Sequence, residues 1–161
     1  MEIRWHDIGF QPDDHLSRDI REAWAWLFEG ESFHPFVCSR LGDCFFTTDD
    51  GMVGWLNCSA GKREVLSITR SEFDRACRRG GEEVDEWFGP GLVAAAHEAG
   101  KCAGLDQAYF FIVLPIFAEC RYEPVNMGVV PIREVFVGLA DVHRQMETIP
   151  DGSKVNLKIV E

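Results

Sequence analysis

Long apolar runs are missing from this chain. No stretch reaches the roughly eighteen residues that a membrane-spanning helix needs, so no membrane association is expected. Residues 1–15, MEIRWHDIGFQPDDH, lack a basic region followed by an apolar one, so they do not read as a secretory signal and a cytoplasmic location is expected. Positive charge is scarce: 16 Lys and Arg stand against 27 Asp and Glu, a net charge of −11 at pH 7. That balance argues against direct binding to nucleic acid and suits a basic protein partner instead.

Motifs of metal, cofactor and nucleophile chemistry are also missing. None of the six cysteines forms a C-x-x-C pair, and none of the five histidines sits in H-E-x-x-H spacing. There is no G-x-S-x-G elbow. The stretch GWLNCSAGKREV contains a Gly-Lys pair but lacks the first Walker glycine and the Ser or Thr after Lys62, so it reads as a turn. No cofactor is expected. The cysteines (Cys38, Cys44, Cys58, Cys77, Cys102 and Cys120) sit mostly in apolar context and are expected to be reduced core residues.

Apolar material is plentiful, at 46% of the residues, which is enough for one ordinary core without disulfides. Residues 13–29 carry Leu16, Ile20, Ala23, Trp24 and Leu27 at helical spacing, with Asp13 and Asp14 at the N-terminal turn and Gly30 after the end. Trp26 falls on the opposite side of that helix, which marks it as an exposed aromatic and a partner contact. Short apolar runs at 33–39, 43–48, 52–57 and 63–69 are separated by turn signals such as Asp50-Gly51, and predict an antiparallel meander. Helices follow at TRSEFDRACRRG, with Ser71 or Thr69 as cap, and at EEVDEWFGPGLVAAAHEAG, broken at Gly89-Pro90-Gly91. Residues 107–117 read as a strand, AECRYEPVNMG as a turn, and GVVPIRE as the lead into a helix at REVFVGLADVHRQMET. Pro150-Asp151-Gly152 then turns the chain into a strand at 154–160. This order predicts a single α+β domain over 1–161: a mostly antiparallel sheet on several helices, with 1–35 a helical segment and the last helix, turn and strand completing the sheet. Loss of residues 150–161 is expected to abolish folding.

Two constellations carry weak chemical signals. Cys120 lies beside Arg121, a cation that can lower a thiol pKa, and His143 offers a base. Asp141 and His143 are two positions apart on a helix and so face different ways. The five tryptophans, Trp5, Trp24, Trp26, Trp55 and Trp87, read as core or interface.

The order of several short motifs is more specific than any one of them. Gly42-Asp43 opens a strand, and Gln107 and Tyr109 lead through Leu114-Pro115 to Tyr122 and Asn126. His143 and Gln145 then precede Pro150-Asp151-Gly152. Over residues 36–160 this order resembles the domain family found at the C-terminus of type VI secretion immunity proteins, which also occurs as small standalone bacterial proteins. The sequence departs from that pattern at Glu119 and Cys120, where the family has paired glycines, and at GLADVH, where the family has Gly-x-Ile-His. The resemblance implies a non-catalytic cytoplasmic binding protein that neutralises a DNA-degrading toxin, with a basic nuclease as partner. With Trp26, the loop residues Glu119, Arg121, Tyr122, Glu123 and Asn126 are the partner-binding candidates. The alternatives are a thiol enzyme using Cys120 and His143, and a small-ligand or regulatory domain, which a deep apolar pocket would favour over an acidic face.

Overall fold

The computed structural model describes residues 2–156. A four-residue helix, α1 (Trp5–Ile8), leads into a two-residue edge strand, β1 (Gly9–Phe10). Helices α2 (Asp14–Ala23) and α3 (Ala25–Phe28) follow, then the meander β2 (Phe33–Ser39), β3 (Asp43–Thr48), β4 (Met52–Asn57) and β5 (Lys62–Thr69). These form one antiparallel sheet of five strands in the order β1-β2-β3-β4-β5. Helices α4 (Arg70–Arg79), α5 (Glu82–Phe88) and α6 (Pro90–Glu98) come next. Strands β6 (Gln107–Phe111) and β7 (Met127–Pro131) pair antiparallel in a second, two-stranded sheet. A π-helical turn (Glu134–Gly138) runs into α7 (Leu139–Met146). The α+β class and the antiparallel meander are as the sequence predicts.

The main sheet is covered on both faces. In β3, Cys44 and Phe46 point to one face and Phe45 to the other, the period-two alternation of a strand. On the first face they meet Leu16, Ile20, Trp24 and Phe28 of the first helices, and Val135, Phe136 and Ala140 near the C-terminus. On the second face Phe45 lies among Phe73, Trp87 and Phe88 of the middle helices and Tyr109 and Phe111 of β6. A strand buried on both sides reads as a continuous apolar run, which is how CFF appears in the sequence.

Several expectations are corrected. Residues 13–29 are not one helix: Trp24 leaves helical geometry at φ −98°, ψ 5°, and the chain restarts as α3. The 1–35 segment is not purely helical, because Gly9 and Phe10 pair with Ser39 and Cys38. The strand expected over 107–117 stops at Phe111, and GVVPIRE supplies a strand, β7, before its helix. Of the cysteines, Cys38, Cys44 and Cys58 are buried as expected, whereas Cys102 is exposed; all six are free thiols. Residues 153–156 carry no assigned strand, and the rest of the strand expected at 154–160 lies outside the described residues.

Candidate functional site

The β2–β3 turn, Ser39 to Asp43, builds a buried polar cluster. Gly42 sits at φ +97°, and a Cβ there would come within 2.6 Å of Ser59 Oγ and 2.9 Å of Val135 Cγ1. Glycine is therefore required both by backbone conformation and by space. Ser39 Oγ accepts from the backbone N–H of Leu41 (3.2 Å) and of Asp43 (3.1 Å), and donates to Asp43 Oδ2 at 2.7 Å. Trp55 Nε1 donates to Asp43 Oδ1 at 2.8 Å across the β3–β4 pair. Asp43 is 7% exposed. Burial pushes its carboxyl up to about 6, against the two hydrogen bonds, which pull it down.

Asp43 lies at the side of an open cleft of about 260 Å³. Trp55, Phe111 and Tyr122 supply aromatic surface, and Glu86 from α5 adds a second carboxylate. Tyr122 packs edge-on against Phe111, with ring centroids 5.3 Å apart, and is still 63% exposed. Among the described residues, no Lys or Arg lines the cleft.

Tyr122 belongs to the loop between β6 and β7, which is held from both ends. Asn126 is its staple. Its Oδ1 accepts from the backbone N–H of Val113 (2.8 Å), and its Nδ2 donates to the carbonyls of Val113 (3.0 Å) and Arg121 (3.0 Å) and contacts Cys120 Sγ at 3.6 Å. Lys101 Nζ donates to the carbonyls of Pro124 and Met127, both at 2.6 Å. On this fastened loop, Ile112 (60%), Ile116 (44%), Tyr122 and Val125 (71%) are exposed. The loop thus carries four exposed large apolar side chains on an ordered backbone.

The structure sorts the sequence candidates accordingly. Glu119, Arg121, Tyr122 and Glu123 are exposed on the loop. Asn126 is buried and spends its side chain inside the loop, so it positions the surface rather than forming it. Trp26 is not the exposed aromatic that a continuous helix predicts. The break at Trp24 changes the helical register, and Trp26 is half-buried, stacked on Trp24 with centroids 6.0 Å apart. Its Nε1 is buried with no hydrogen-bond partner among the described residues.

Cys120 and His143 have separate surroundings. Burial pushes the Cys120 thiol up, opposed by the Asn126 contact; the lowering expected from Arg121 is not found. His143 is buried beneath Gly61, with Nε2 donating to the Ser59 carbonyl at 3.1 Å, and burial holds its imidazole below the usual value, against the backbone carbonyls of Ser59 and Cys58. Asp43 entered the sequence reading only as half of Gly42-Asp43. Trp55 entered only as one of five tryptophans, and Glu86 and Phe111 not at all. The one local signal was a lone acid opening the apolar strand DCFF; the cleft itself joins segments more than 60 residues apart in sequence.

The fold and this cleft define the molecule as a single α+β domain. No protein-family model matches the sequence, and no curated protein is found as a relative. Among solved structures, the chain is similar to the crystal structure of Atu4351 from Agrobacterium tumefaciens, with a TM-score of 0.50 and 13% identity over 84% of this chain and 67% of that one. At that identity the likeness concerns the fold alone.

Proposed function

We propose that this protein is a non-catalytic binding module whose 112–126 loop and adjoining cleft grip a basic protein, and that this partner is a nuclease toxin of a secretion system. The observation that carries the reading is the group Ile112, Ile116, Tyr122 and Val125, exposed on a loop fastened by Asn126 and Lys101 beside two carboxylates. A preorganised apolar anchor loses little entropy on docking, which is what tight inhibitors share. A net charge of −11 steers it toward a nucleic-acid-binding surface, and occupying that surface would block substrate. The motif order over 36–160 points to the same toxin-antidote role. The reading puts the protein in the cytoplasm, where six free thiols are at home. The cleft beside the loop is open and holds only about 260 Å³, which suits a side chain of a protein partner.

The test uses the purified product of the gene next to this one, which the proposal requires to be a basic nuclease. Stoichiometric binding that abolishes its nuclease activity, weakens as salt rises, and drops about 10–100-fold in the Tyr122→Asp and Val125→Asp variants is expected. A nuclease that stays active with this protein in excess defeats the proposal.

A further inference from the structure

The cleft beside Asp43 has an occupant-shaped chemistry of its own. Asp43 is a buried carboxylate, and Glu86, on α5, lines the same cleft. Among the described residues neither takes part in an ion pair. The two internal donors, from Ser39 and Trp55, use one site on each Asp43 oxygen, and a carboxylate offers about four. A buried carboxylate left without a cation is costly, and a cation brought by a partner would offset that cost. The remaining walls are the rings of Trp55, Phe111 and Tyr122, whose faces attract cations.

We propose that this cleft seats one arginine side chain projected by the protein partner, its guanidinium paired with Asp43 and Glu86 and stacked against Trp55 and Tyr122. Size, shape and charge all select that occupant. At about 260 Å³ the cleft falls below the usual range for small-molecule sites and suits a single side chain. A planar guanidinium pairs with carboxylates in a fixed fork and stacks on aromatic rings, which the compact, strongly hydrated lysine ammonium does less well. A metal cation is a poor fit, since no group of three ligating side chains occurs among the described residues. The inference rests on the protein-binding reading above, and it identifies the contact that makes the site selective for a basic partner.

The test separates the two claims. N-acetyl-arginine amide is titrated into the ¹⁵N-labelled protein, with the isosteric neutral N-acetyl-citrulline amide as control at equal ionic strength. The signal followed is the Trp55 indole N–H, which lies against Asp43, assigned by its loss in Trp55→Phe. A saturable shift with the arginine probe alone is expected, weakened about tenfold in Glu86→Gln and in Tyr122→Leu and absent in Asp43→Asn. Glu86 and Tyr122 are exposed, so those two variants carry the test if Asp43→Asn fails to fold. Equal shifts with both probes, or no shift with either, overturn the arginine seat. Full toxin binding by Glu86→Gln overturns it too and leaves the loop interface standing. Arginine binding by a protein that inhibits no toxin overturns the proposed function and keeps the seat.

Discussion

Asp43 shows how one buried acid can cost stability. Its carboxyl is raised from 3.8 to about 6 in the folded state. An acid whose folded pKa lies above its unfolded value penalises folding once both states are ionised. The penalty is absent below about pH 4, grows as pH rises, and is complete above about pH 6, at roughly 3 kcal/mol. Asp19 and Glu72 are shifted the opposite way, the first mainly by Arg133 and the second by its hydrogen bonds to Thr69, so whole-protein profiles mix signs. Comparison with Asp43→Asn isolates this group: in urea unfolding, the variant gains on the wild type as pH rises from 4 to 7, and parallel profiles would refute the account. Gly42→Ala must strain a left-handed residue and push against Ser59 and Val135, so a loss of about 2 kcal/mol or more is expected by the same measurement. The local turn was legible in the letters LGD; the burial that perturbs the carboxyl was not, because it arises only once the chain is folded around it.

At the scale of elements, local signals and tertiary contacts divide the control. The start of α4 is written locally: Thr69 Oγ1 accepts from the Glu72 N–H, and Glu72 returns a bond to the Thr69 N–H at 2.7 Å. Thr69→Ala should therefore cost about 1 kcal/mol, read as a lower Tm. The break between α2 and α3 is not written locally, since helical spacing continues through it. Trp24 Nε1 donates to the Phe136 carbonyl at 2.8 Å, a contact 112 positions away in sequence. The end of β6 at Phe111 has the same character. Apolar letters continue to Phe117, but Asn126 takes over the backbone groups of Val113, and Pro115 has no N–H to give. Lys101 clamps the far side of this loop, so Lys101→Met should speed amide hydrogen exchange in residues 112–126 and leave α2 unchanged. Uniform acceleration across the chain would show that the lysine stabilises the whole fold instead.

At the scale of the molecule, the two cores share one sheet. Cys38, Cys44, Phe46 and Leu56 serve the first core, and Val37, Phe45 and Val53 of the same strands serve the second. Neither helical layer can leave without exposing the opposite side of strands that the other layer covers. Unfolding is therefore expected as one transition, with tryptophan fluorescence and far-UV circular dichroism superimposing; two separated midpoints would show that the layers are independent. The same architecture presents the loop and the cleft together, because the β6–β7 pair is fixed to the main sheet by the Tyr109 N–H donating to the Arg40 carbonyl at 2.8 Å.

By itself the sequence determined the α+β class, the meander of β2 to β5, the split at Gly89-Pro90 and the acidic charge. Each of these follows from neighbours along the chain: side-chain alternation, turn residues and simple composition. The tertiary structure alone decided that Trp26 is drawn into the core, that Asn126 works inside its loop, and that Asp43, Glu86 and three aromatic rings face one cleft. Burial, and the electrostatics that burial creates, depend on segments that meet only when the chain folds.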